Sequence, residues 1–265
     1  MATLFILGAC RYNQNTPTQS KEEKTFTLKD HVYQYSIIDA LLSGVYDGNL
    51  TAGELKLHGD FGIGTFNGLD GEMMVKDGKV FKMRYNGEVV EVDDSIKTPL
   101  AFVKFFEVDT TLTIKGNPIT YDTLKLHLAP FINENKMYAI RIKGKFDQIE
   151  ARSVSPVTKP YPDLATHIAT GGQTSFTFQN TDGTLSGFIS PQFTARANIP
   201  GYHLHYLDND HKNGGHVFDF KINQITVEID RVKGFSVELN TNKDFDSANL
   251  NKNRDQELKK VEQKD

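Results

Sequence analysis

An α+β fold with two subdomains is what this 265-residue sequence predicts, and three observations lead there. Short apolar runs separated by turn residues recur along most of the chain, as in Glu72-Met-Met-Val, Lys76-Asp-Gly-Lys and Val80-Phe-Lys-Met-Arg. Eighteen Phe and ten Tyr with no Trp suit pleated, half-buried surfaces. Stretches with helical spacing or caps are few, so helices flank mixed or antiparallel sheets and do not alternate with strands. Pro156, Pro160 and Pro162 crowd into one crossing. That crossing divides the folded chain into an N-terminal α+β subdomain, 25–155, and a C-terminal β-rich subdomain, 156–265, with a helical tail.

The first 24 residues stand apart. Thr3-Leu-Phe-Ile-Leu-Gly-Ala-Cys10 is a short apolar run ending in Leu7-Gly8-Ala9-Cys10, and a polar stretch rich in Asn, Thr, Gln and Ser follows. This resembles the end of a bacterial lipoprotein signal, with Cys10 lipidated and the polar stretch a tether. The run is shorter than most signal cores and has no positive n-region, so a cytoplasmic chain with a frayed N-terminus stays open beside export or lipid anchoring. The fold is expected to start at Thr25-Phe-Thr-Leu. Residues 32–42 carry Ile37, Ile38, Leu41 and Leu42 at helical spacing, with Gly44 as a stop. Thr51-Ala-Gly-Glu54 is a capping box for a short helix ending by Gly59. Strands are expected at 60–66, 72–75, 80–84 and 88–92, forming a meander. Pro99 opens either a helix from Leu100 or a strand at 102–106. Residues 121–128 read as a helix capped by Thr120, and 137–153 as a hairpin around Lys143-Gly144. Strands follow at 174–178, 183–189, 201–207, 217–220 and 225–229, with Asn180-Thr-Asp-Gly as one hairpin turn. Residues 253–264 read as a helix whose few apolar positions are Leu258 and Val261.

Composition removes several function classes. Net charge is −4 with the basic residues dispersed, which argues against nucleic acid as a partner. No apolar run is long enough for a bilayer-spanning helix. One cysteine excludes an internal disulfide framework and a four-thiolate zinc site. No serine sits in a nucleophile elbow. Gly62-Ile-Gly-Thr-Phe-Asn-Gly is not a phosphate cradle, because a strand and not a helix follows it; its glycines serve close backbone approach or a bulge.

The strongest chemical signal is Gly201-Tyr-His-Leu-His-Tyr followed by Gly214-Gly-His-Val. On a strand, period-2 geometry points His203 and His205 from one face, with Tyr202, Leu204 and Tyr206 on the other. The intervening Asp208-Asn-Asp-His-Lys-Asn-Gly-Gly is turn chemistry, so the chain returns as a partner strand and brings His216 alongside. Imidazoles on a rigid hairpin suit zinc or a similar divalent ion, and three protein ligands leave the open position of a catalytic metal. His211 in the turn is expected to be exposed, and His31, His58, His127 and His167 to be ordinary. A cupin-like metal-dependent oxygenase and a noncatalytic extracellular metal-binding module are the competing readings, although Asp208 stands where a cupin places Glu.

Leu57-His-Gly-Asp-Phe-Gly-Ile-Gly-Thr-Phe-Asn-Gly-Leu-Asp-Gly-Glu72, Tyr138-Ala-Ile-Arg-Ile-Lys-Gly, Ala151-Arg-Ser-Val, Gly201-Tyr-His-Leu-His and Gly214-Gly-His-Val-Phe-Asp occur in this order. Together they resemble the alpha-acetolactate decarboxylase family over nearly the whole folded chain. The resemblance implies a two-subdomain α+β fold with the active site between the subdomains, a homodimer, and zinc on His203, His205 and His216. It also implies a carboxy-lyase converting (S)-2-acetolactate into (R)-acetoin and CO2 in acetoin and butanediol biosynthesis. Carried across by motif, the further site residues are Thr65, Glu72, Arg152 and a tail glutamate, Glu262 with Glu257 as the alternative. Such chemistry needs an electron sink for an enediolate, which the metal would provide. Arg152 would grip the carboxylate, and Glu72, Glu262 or Arg152 itself would deliver the proton.

Overall fold

The computed structural model describes residues 28–262, so Cys10 and the expected tether lie outside the described residues. Two sheets carry the fold. The first has seven strands in the order β12-β1-β6-β2-β3-β4-β5. They span β1 His31–Tyr35, β2 Phe61–Thr65, β3 Glu72–Lys76, β4 Lys79–Met83, β5 Val89–Glu91, β6 Ala101–Lys104 and β12 Gly234–Glu238. The second has the order β10-β9-β8-β11-β7, with β10 also pairing β11 so that four of its strands close on themselves. Its strands are β7 Thr110–Ile119, β8 Met137–Val154, β9 Gln173–Ser190, β10 Gly201–Asp208 and β11 Gly214–Val232. Both sheets draw on both sides of the proline crossing: β7 and β8 join the second sheet and β12 joins the first.

Short helices flank the sheets: α1 Ile38–Leu42, α2 Ala52–Lys56, α3 Tyr121–Leu128, α4 Leu164–Ala169, α5 Lys243–Ser247 and α6 Asp255–Glu262. The capping boxes of α2 and α3 form at Thr51 and Thr120. The helix expected over 32–42 instead divides into β1 and α1 about Ser36, at φ 63°. Hydrogen-bonding partners on both sides, β12 parallel and β6 antiparallel, outweigh the helical spacing. After Pro99 the strand alternative holds, as β6.

Two expected hairpins are instead continuous strands. Gly144 does not turn the chain; it pairs with Gly183 in mid-strand, and a Cβ there would meet Ile222 Cδ1 at 2.4 Å. Asn180 takes φ 49° as a local kink within β9. The two strands expected at 217–220 and 225–229 are likewise one, β11, interrupted by irregularities at Val217/Asp219 and Ile222/Gln224.

One apolar cluster, including Ile140, Phe146, Tyr206, Phe220 and Val227, fills the second sheet. Another joins elements of both sheets through Phe61, Phe102 and Phe188, and receives α1, α4 and Val261 of α6. Lys104 of β6 and Asp230 of β11, 0% and 2% exposed, form a buried ion pair that ties the sheets together. Removing one partner of such a pair costs about 3–5 kcal/mol, because the other is left charged and buried.

Candidate active site

The site forms where the β10–β11 pairing meets the first sheet. His203 and His205 leave β10 on one face while Leu204 and Tyr206 enter the core of the second sheet, as period 2 requires. His216 stands directly across from His205 in the β10–β11 register, and Arg152 directly across from His216 on β8. Glycine makes the crowding tolerable: a Cβ on Gly187 of β9 would lie 1.9 Å from the His203 carbonyl oxygen. From the first sheet come Thr65 and Glu72, paired across β2 and β3, and α6 brings Glu262.

One side-chain nitrogen from each of the three histidines lies within 4.8 Å of the other two, and all three residues are buried. Desolvation holds each imidazole neutral. It takes His205 down to about 3, with the Arg152 charge acting in the same direction and the hydrogen bond to Met73 against it. His203 and His216 fall well below the ordinary histidine range, burial first and neighbouring cationic or imidazole groups second. His205 Nδ1 donates to the Met73 carbonyl oxygen at 2.8 Å, so Nε2 carries the lone pair. That Nε2 is buried and has no hydrogen-bond partner. A neutral, oriented imidazole with an orphaned lone pair beside two others fits a metal ion.

Carboxylates and a guanidinium surround the histidines. Glu72 Oε2 lies 3.7 Å from His205 Nε2, and Glu262 Oε2 lies 3.6 Å from His216 Nε2 and 3.8 Å from His203 Nε2. Arg152, 3% exposed, stands 3.9 Å from Glu72 and 3.8 Å from Glu262. Those separations are too long for hydrogen bonds, and the Arg152 Nε and Nη1 are buried without partners. Burial pushes Glu72 up to about 7, with Arg152 pulling down and Glu262 pushing up; burial also raises Glu262. Thr65 donates its hydroxyl to the Gly71 carbonyl oxygen at 2.8 Å. Thr65, Glu72, Arg152, Glu262 and the three histidines line one cavity of about 40 Å3.

All the residues expected from sequence therefore meet, and the tail alternatives separate in space. Glu262 lines the cavity, whereas Glu257 is not part of its lining and pairs with Lys252 and Arg254. His211 packs on Phe81, His58 stacks on Tyr33, and His167 bonds the Ser155 carbonyl oxygen. Sequence reasoning missed Phe218, which the β11 irregularity leaves unpaired and sets 5.5 Å from both His216 and the Arg152 guanidinium carbon. It also missed the apolar lining, whose positions signal only burial.

The family model for alpha-acetolactate decarboxylase matches residues 32–252. The chain belongs to the alpha-acetolactate decarboxylase family. It is 42% identical over 236 residues to the alpha-acetolactate decarboxylase of Methanosarcina mazei, covering 88% of this chain and 80% of that one. The Brevibacillus brevis enzyme is 40% identical over 225 residues, 84% of this chain and 77% of its own length. The crystal structure of the Bacillus subtilis alpha-acetolactate decarboxylase superposes with TM-score 0.85 at 34% identity, over 88% of this chain and all of that one. Family membership makes this chain a carboxy-lyase and displaces both the noncatalytic-module and the cupin-like oxygenase readings.

Proposed function

We propose that this chain decarboxylates (S)-2-acetolactate to (R)-acetoin and CO2, with zinc held by His203, His205 and His216. The carrying observation is the convergence of three neutral imidazoles, a guanidinium with two nitrogens free of hydrogen bonds, and the carboxyl groups of Glu72 and Glu262 on one small cavity. The histidines offer a neutral nitrogen set that suits zinc. When bound, zinc supplies a Lewis acid for the substrate's ketone and hydroxyl oxygens and takes up developing negative charge.

The chain's own residues handle the rest. Arg152 receives the substrate carboxylate: its buried Nε and Nη1 have no hydrogen-bond partner within the protein, and a planar fork orients the bond that breaks. That bond joins C2 to the carboxylate carbon. Its electron pair stays on C2, conjugated with the ketone, and a proton takes the place of CO2. Glu72 and Glu262 flank the histidines from different elements and hold the proton close to that carbon. Buried apolar side chains around them keep water from competing.

The test combines metal analysis with a colour assay for acetoin and chiral analysis of the product. Zinc retention with acetoin formation in the native protein, and loss of both in His205→Ala, is the expected result. Acetoin formation by a metal-free His205→Ala protein would overturn the reading.

A further inference from the structure

The same cavity has an apolar share that the chemistry above does not use. Ile38 and Leu41 of α1, Leu164 of α4, Ile199, and Val261 of α6 line it, and all five are buried in one cluster. The cavity is also small, about 40 Å3, against about 590 and 680 Å3 for two other pockets.

In a 2-hydroxy-3-keto acid the carboxylate, hydroxyl and ketone oxygen are all polar and are met by Arg152 and the histidine group. What remains is the alkyl group on C2 and the acyl methyl. These have nowhere favourable to lie except against the apolar share. We propose that this apolar wall gauges the alkyl substituent on C2, and that Val261 is its specificity-determining residue; the inference rests on the decarboxylase reading above. Val261 directly precedes Glu262 on α6, and both line the cavity, so of the apolar wall it is the residue adjoining the carboxyl group that approaches the histidines.

A hydrophobic pocket discriminates one methylene by about 10- to 200-fold, so removing two methyl groups from the wall should be visible in relative rates. The experiment measures kcat/KM of native, Val261→Ala, Val261→Leu and Ile199→Val proteins with the 2-methyl substrate and its 2-propyl homologue. The expected propyl-to-methyl ratio rises about tenfold in Val261→Ala, rises less in Ile199→Val and falls below native in Val261→Leu. A merely structural role would lower both rates together and leave the ratio unchanged. An unchanged ratio across the variants, with the 2-methyl substrate still turned over, overturns the gauge and leaves the decarboxylase reading standing. Failure of the native zinc-loaded protein to turn over the 2-methyl substrate overturns both. If Val261→Ala proves unstable, the opposite shifts in Val261→Leu and Ile199→Val decide the matter alone.

Discussion

Replacing Arg152 with lysine is the most informative single change at this site. Arg152 is buried between Glu72 and Glu262 at 3.9 and 3.8 Å, and either carboxylate, when ionised, attracts it by about 4 kcal/mol at an effective dielectric of roughly 20. Lysine keeps that positive charge, so the acidic surroundings remain compensated and the fold survives. It loses the planar fork. A hydrogen bond to a charged group contributes about 1.5–3 kcal/mol, and an ammonium on a flexible stem replaces two parallel bonds with one less directed contact. Losing one such bond in the transition state lowers kcat/KM about 10- to 100-fold. Arg152 is not one of the three clustered histidines, so metal content should not change. Steady-state acetoin formation and metal analysis on the same preparation provide the assay. Native kcat/KM in Arg152→Lys would refute the carboxylate-gripping role; loss of metal together with activity would show that Arg152 supports the histidine cluster instead.

Three further outcomes follow from the geometry. Glu72→Gln should retain metal and lower kcat by about 100-fold, as expected for removal of a proton-holding group, and rapid-quench or colour assays read it directly. Glu262→Gln should slow turnover in the same way, while Glu257→Gln, away from the cavity and paired with Lys252 and Arg254, should leave kcat within about twofold; equal effects at the two positions would contradict the placement of the tail. Lys104→Met strands Asp230 in the interior and should destabilise the protein by about 3–5 kcal/mol, measured as a shift in the urea midpoint.

The histidine site was legible because two local rules suffice for it. Period 2 puts His203 and His205 on one face, and turn chemistry after Asp208 returns His216 to a partner strand. Arg152, Glu72 and Glu262 are different: nothing local marks them, and their approach depends on register across β8 and β11, on the packing of one sheet against the other and on the docking of α6. Motif resemblance, not periodicity, found them. The long strands β8 and β9 read as hairpins because Gly144 and Asn180 signal turns when seen alone, and β11 as two strands about its irregularities at Val217/Asp219 and Ile222/Gln224. In the fold Gly144 serves close packing and Asn180 kinks a strand that neighbours hold on course. Strands β7 and β12 went unforeseen; β7 is a sheet edge with alternately exposed residues, and β12 is only five residues long. The apolar wall was invisible for another reason: Leu41, Leu164 and Val261 look like any helix anchors until three short helices are assembled around one cavity.

The central claim, that zinc on His203, His205 and His216 is required for decarboxylation, is tested most directly by following metal content and acetoin formation together through chelation and zinc return. The account predicts about one zinc per chain, activity that falls in proportion to metal removed, and recovery when zinc is restored. Undiminished acetoin formation by protein stripped of metal would contradict it.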